Sequence, residues 1–133
     1  MPASILVVDD YPDMVTLIRH ALTAAGHKVA TAATGNEALL KAQQSPPDLV
    51  VLDLMLPELA GNNVCEILRR TSATAQVPII MITGLPGNIP RLVGREAGAD
   101  LHLNKPFQME ELVARIEELL KKGRARTGAP PAR

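Results

Sequence analysis

The sequence predicts an α/β domain built on a doubly wound, five-stranded parallel sheet, order 2-1-3-4-5, with helices on both faces. Three observations lead there. Five short apolar runs recur along the 133 residues: "SILVV" (4–8), "KVATAA" (28–33), "LVVLDL" (49–54), "PIIMIT" (78–83) and "LHLNK" (101–105). Segments of helical period separate them, so strand and helix alternate five times. The first, third and fourth runs are continuous rather than alternating, as strands covered on both faces require.

Each helix has its own signal. From Asp13 to Ala25, Met14, Leu17, Ile18, Ala21, Leu22 and Ala25 fall at three- and four-residue steps, and Gly26 is a fitting stop. Thr34 with Glu37 forms a capping box that starts a helix running through Gln44, and Pro46-Pro47 closes it. A third helix fits Asn62 to about Thr71. The fourth, about Ile89 to Ala97, is weakened by Pro90 and Gly94. The last, Gln108 to Lys122, puts Met109, Leu112, Ile116, Leu119 and Leu120 on one face, with Gly123 at its end. The tail after it, 124–133, is small, basic and proline-bearing, with no apolar face. It is expected to be disordered, leaving 1–123 as one domain.

Composition narrows the function. Lys+Arg and Asp+Glu both number 14, so there is no basic excess of the kind a nucleic-acid surface carries. The aromatics are Tyr11 and Phe107 alone, so the core must be aliphatic. The single Cys65 has no disulfide partner and no metal-ligand spacing; its place in "NNVCEILRR" reads as a packed core thiol. The start "MPASILVVDD" has no charged leader region, and its apolar run is too short for a signal peptide or a membrane span. A cytoplasmic location is expected.

In an open parallel sheet, ligands bind beyond the carboxyl ends of the strands. The first strand is followed by Asp9-Asp10, and the third ends in Asp53. The fourth ends in Thr83-Gly84 and the fifth in Lys105-Pro106. The second strand ends without chemistry. Singly, each has an ordinary explanation as a cap, a turn residue or a solvated lysine. In the order 2-1-3-4-5, however, the four equipped strands are contiguous. Three converging carboxylates either raise a pKa or take a cation, and hard oxygens suit Mg²⁺. A lysine and a threonine hydroxyl opposite them suit a phosphoryl group, and the central carboxylate, Asp53, is the nucleophile to expect.

With these residues in place the chain resembles the receiver domain of bacterial two-component response regulators, the CheY-like, flavodoxin-like family, over about residues 4 to 122. The marks are Asp9-Asp10, "DLMLPELAG" from Asp53, "MITG" with Thr83 and "NKPF" with Lys105-Pro106. The resemblance implies that Asp53 accepts a phosphoryl group from a sensor histidine kinase or a histidine phosphotransfer protein. It implies direct Mg²⁺ ligation by Asp10, a water-mediated role for Asp9, and further ligands from Asp53 and the Met55 carbonyl. Thr83 and Lys105 would contact the phosphoryl group, and the Lys105–Pro106 peptide would be cis. Such a domain catalyses only its own phosphorylation and dephosphorylation. Its modified form would move Thr83 and switch the surface of the fifth strand and the fourth and fifth helices, changing the binding of an unidentified downstream protein. No contact with nucleic acid or membrane is expected, and the state would be monomer or phosphorylation-dependent dimer.

Two positions depart from the family pattern. His102 stands where a switching Tyr or Phe is usual, three residues before the lysine; it either toggles, with a pH-sensitive charge, or is a solvated surface histidine. Gly84 stands where Ala is more frequent. Other readings are a receiver excised from a longer regulator, and a degenerate receiver that binds partners without phosphorylation. The latter sits badly with the intact acidic set. An aspartate-based phosphatase would need a second acid two residues past a first-strand nucleophile, which "VVDDYPD" lacks. A nucleotide or flavin domain would need a phosphate-binding loop that is not present.

Overall fold

Apolar residues on both sides of a strand demand cover on both sides, and the structure supplies it. A computed structural model of the chain describes residues 2–122; the expected stop at Gly123 and the tail 124–133 lie outside the described residues. The elements are β1 (Ser4–Val8), α1 (Pro12–Ala24), β2 (Lys28–Ala32), α2 (Gly35–Gln44), β3 (Leu49–Asp53), α3 (Gly61–Arg70), β4 (Ile79–Thr83), α4 (Ile89–Ala97), β5 (Leu101–Asn104) and α5 (Met109–Lys122). All neighbouring strands are parallel, in the order β2-β1-β3-β4-β5.

The two-residue period of a strand sorts each run between two cores. Leu6, Val8, Val50, Leu52, Ile79 and Met81 face one side, against Ala38, Ala42, Val64, Cys65, Leu68 and Ala97 of α2, α3 and α4. Their neighbours in sequence, Ile5, Val7, Leu49, Val51, Ile80 and Ile82, face the other, against Ile18 and Leu22 of α1 and Leu112, Ile116 and Leu119 of α5. Cys65 is fully buried, as its place on an apolar helix face requires.

Element ends follow local chemistry. β2, β3 and β5 each stop one residue inside their apolar runs, because Ala33, Leu54 and Lys105 already bend toward the loops. Helix α1 starts at Pro12 rather than Asp13, with the proline in the first turn, where its missing N–H costs nothing. Thr34 caps α2 by accepting the Glu37 N–H at 3.1 Å, while the Glu37 carboxylate reaches back to the Ala33 N–H at 2.9 Å. The fourth helix forms over its full expected span despite Pro90 and Gly94. Pro90 lies in the first turn. Gly94 is buried against the sheet, where a Cβ would lie 3.3 Å from Met81 Cγ. The same residue that lowers helix propensity lets α4 sit close to β4 and β5.

Arg69 ties together the end of the sheet opposite the strand carboxyl termini. Its guanidinium donates to the carbonyls of Gly98 at 3.0 Å and Val77 at 2.6 Å, and pairs with Asp100 at 2.8 Å. Asp100 in turn accepts the Ile79 N–H at 2.8 Å. This fastens α3, the start of β4 and the C-terminal end of α4 to one buried charge pair.

Candidate functional site

Strand register assembles the site. Val8 pairs with Leu52, so Asp9 and Asp53 follow at the same level on adjacent strands. Asp53 pairs with Ile82, and Thr83 with Asn104, so Thr83 and then Lys105 stand one step further along. The four side chains thus emerge on one edge although up to 96 residues separate Asp9 from Lys105 in sequence.

The loop after β3 is shaped by close contact. Asp53 Oδ1 accepts the Met55 N–H at 3.1 Å, and the Gly61 N–H donates to the Leu54 carbonyl at 2.9 Å. A Cβ on Gly61 would lie 2.1 Å from the Asp53 carbonyl oxygen and 2.8 Å from Leu54 Cα, so only glycine fits. Glu58 in this loop takes a left-handed φ of 71°, and its carboxylate accepts from the Asn36 amide at 3.2 Å. Met55 exposes its side chain.

Asp9 and Asp53 are buried, whereas Asp10 is open to solvent. Asp9 Oδ1 accepts the Tyr11 N–H at 2.9 Å, a turn bond that orders the entry to α1. Its Oδ2 faces Lys105 Nζ at 3.2 Å, and the same ammonium lies 3.4 Å from Asp53 Oδ2. Burial and, second, the Asp9 charge push the Asp53 carboxyl up to about 6; the Met55 N–H and Lys105 offset part of that rise. Burial alone would lower the Lys105 pKa, but Asp53 and then Asp9 outweigh it and hold it above the usual lysine value. One ammonium therefore serves two buried carboxylates.

Oxygens of Asp9, Asp10 and Asp53 all lie within 4.8 Å of one another, close enough for one ion to touch all three. The donors are hard carboxylates and Asp10 is open to water, which fits a divalent cation that keeps part of its hydration. Across from them Thr83 is fully buried, and its Oγ1 accepts the Leu85 N–H at 3.1 Å. Its own hydroxyl hydrogen is left to donate. The Lys105–Pro106 peptide is cis.

His102 is not a solvated surface side chain. It is half-buried on β5, and both ring nitrogens are shielded from solvent without a hydrogen-bond partner. Burial first, then the Arg91 charge, hold its pKa below the usual imidazole value. A Cβ on Gly94 would lie 3.6 Å from His102 Nδ1, so the ring lies close beneath the glycine of α4. Sequence reading missed Gly94 as the residue that makes this room, and Asn104, which links Leu85 to Arg91 through contacts of 3.3 and 3.2 Å. The glycine was visible only as a weak point in a helix.

A parallel 2-1-3-4-5 sheet carrying an acidic trio, a buried threonine and a lysine at its strand ends defines a receiver-type signalling module. The chain belongs to the response regulator receiver domain family, whose profile matches residues 5–117. It is 43% identical over 122 residues to the alkaline phosphatase synthesis transcriptional regulatory protein PhoP of Bacillus subtilis, covering 92% of this chain and 50% of that one. It is 42% identical over 118 residues to the DNA-binding dual master transcriptional regulator RpaA of Synechocystis, covering 89% and 49%. The chain thus spans about half the length of these curated relatives. Among solved structures, the chemotaxis response regulator CheY4 of Vibrio cholerae is similar, with a TM-score of 0.84, 33% identity and coverage of 90% and 99%. Receiver domains of this family are signalling modules rather than enzymes with turnover on a free substrate. No helix among the described residues is long and apolar enough to cross a membrane.

Proposed function

We propose that Asp53 is the phosphoacceptor of this receiver, taking a phosphoryl group from a phosphohistidine of a sensor kinase or a phosphotransfer protein. The observation that carries this reading is the convergence of Asp9, Asp10 and Asp53 around space opposite Lys105 and Thr83. An ionised Asp53 oxygen attacks phosphorus, the P–N bond breaks, and the electron pair leaves with the imidazole, which takes up a proton. Lys105 pairs with the new dianion, and Thr83 donates its hydroxyl hydrogen to a phosphoryl oxygen. Asp9, Asp10, Asp53 and the Met55 carbonyl would hold Mg²⁺, which when bound neutralises charge on the carboxylates and on the transferring group.

The added charge draws Thr83 from its place beside the Leu85 amide, and the loop into α4 follows. His102, beneath α4, is the side chain whose packing this shift changes. The output is altered binding of a downstream protein at the β5/α4/α5 surface, by a cytoplasmic domain spanning residues 1–123. A second reading takes the chain as the receiver part of a longer regulator with its own output domain; the half-length coverage of the relatives supports it. The length of the natural gene product tests that.

The phosphoacceptor is tested by incubation with acetyl phosphate and Mg²⁺ followed by intact mass. The wild-type chain gains one phosphoryl group and Asp53→Ala gains none. Equal labelling of both removes Asp53 from the role.

A further inference from the structure

Asn104 closes β5 between Leu103 and Lys105, a strand position that disfavours asparagine. Its partner across the ladder is Thr83. From there the side-chain amide reaches two groups on different elements. Nδ2 donates to the Leu85 carbonyl at 3.3 Å, and Oδ1 accepts from the Arg91 guanidinium of α4 at 3.2 Å. The amide cannot be turned over, because that would set oxygen against a carbonyl and NH₂ against a guanidinium. Each end meets the one partner its chemistry allows.

Leu85 is therefore held at both of its backbone groups. Its N–H goes to Thr83 Oγ1 at 3.1 Å and its carbonyl to Asn104. The rest of the loop, 84–88, is loosely packed, and all of its residues are exposed. The nearest atom to a Cβ on Gly84 would be Lys105 Cβ, at 3.9 Å, and nothing lies within 4 Å of one on Gly87. A segment with so little packing takes its position from polar contacts, and two of them meet at Leu85. When Thr83 turns from the Leu85 amide toward a phosphoryl oxygen it releases one side. Asn104 still holds the other.

We propose that Asn104 is a positioning residue: its amide latches the Leu85 carbonyl, holds the β4–α4 loop in its resting place and sets how readily that loop follows Thr83. The latch itself rests on the geometry at Leu85, and its effect on switching rests on the phosphoacceptor reading above. The amide faces Leu85 and Arg91 rather than the reacting atoms. One neutral hydrogen bond of 3.3 Å is weaker than the charge-assisted contacts of Thr83 and Lys105 to a phosphoryl dianion, so phosphorylation opens it. In the unmodified chain it stands closed and the switched position is the minor one. Removing the amide raises that minor fraction about fivefold, the factor one ordinary hydrogen bond commands.

The test compares the full chain with N104L, which replaces the amide by an apolar group of similar length, and with R91M, which frees Asn104 from α4 but leaves Leu85 latched. Two quantities are read: hydrogen exchange at the Leu85 amide in the unphosphorylated chain, and the initial rate of labelling by acetyl phosphate and Mg²⁺, followed by intact mass. The expected result is a rise of about fivefold in both for N104L, with R91M within about twofold of wild type. N104A, which only removes atoms, carries the same expectation and decides the matter where N104L fails to fold. Unchanged Leu85 exchange overturns the latch. Faster exchange without faster labelling, or a lower urea midpoint alone, reduces Asn104 to a structural contact and overturns its control of switching. An R91M chain as fast as N104L places the restraint on α4 and overturns the role of the Leu85 carbonyl. A wild type that takes no phosphoryl group sinks the Asp53 reading instead, and Leu85 exchange still decides the latch.

Discussion

Replacing Asp53 by Asn should make the protein more stable at neutral pH, with a pH dependence that identifies the cause. The Asp53 carboxyl rises from an ordinary 3.8 to about 6 on folding, driven by burial and then by Asp9. At about 1.4 kcal/mol per pH unit, that difference is on the order of 3 kcal/mol. The sign follows from proton binding. Between pH 4 and 6 the folded chain holds a proton at Asp53 that the unfolded chain has released, so stability falls as pH rises through this window. Above about pH 6.5 the loss is complete. Asparagine keeps the oxygen that accepts the Met55 N–H and removes the charge, so D53N escapes the loss. Urea unfolding in metal-free buffer should show the two proteins converging near pH 4. At pH 7.5 they should differ by roughly 2–3 kcal/mol, about 10 °C in Tm for a domain of this size. Millimolar Mg²⁺ should narrow the gap, because an ion held by the carboxylates stabilises the wild type more. A difference that stays flat from pH 4 to 7.5, or a D53N protein less stable at pH 7.5 without metal, would refute the account of the site as strained by its own charges.

Two further outcomes follow from the same geometry. Gly61→Ala forces a methyl group to within 2.1 Å of the Asp53 carbonyl oxygen, a backbone atom that no rotamer change can move aside. It should cost about 1–3 kcal/mol or more in urea unfolding, and lower phosphoryl labelling because Asp53 is displaced with its strand end; wild-type values on both would mean the contact is relieved elsewhere. Lys105→Met removes the ammonium that both buried carboxylates share, so the Asp53 pKa should climb beyond about 6. Carbon-detected NMR of the Asp53 carboxyl reads this directly, and an unchanged or lower value would show that Lys105 is not the compensating charge.

Much of this site was legible in the sequence because strand ends are legible. Asp9, Asp53 and Thr83 each close an uninterrupted apolar run, Lys105 ends the shorter fifth one, and parallel register then carries them to one edge. What pattern reading could not supply was contact across the fold. Gly61 opens α3, and its need for glycine comes from a carbonyl eight residues earlier, a contact no local pattern shows. Gly94 reads as a weak point in α4; in the fold it is the residue that admits His102 beneath that helix. For His102 itself, sequence alone leaves a toggling ring and a solvated one both open, since burial depends on how α4 lies. Arg69 gave no signal at all, because its partners Gly98 and Asp100 lie 29 and 31 residues away.

The Arg69 clamp has a mechanical consequence. Helix α4 is bolted at its C-terminal end, where Gly98 turns left-handed with φ 111° under the guanidinium, while Asn88 at the other end makes no side-chain cap. Nine residues at 1.5 Å each give a lever arm of about 13 Å. A tilt of about 10° about the bolted end moves the free tip by roughly 2 Å and the pivot by almost nothing. Displacement fed in from the Leu85 loop would therefore be carried at Ile89, die away along the helix and be absorbed before it reached the far edge of the sheet.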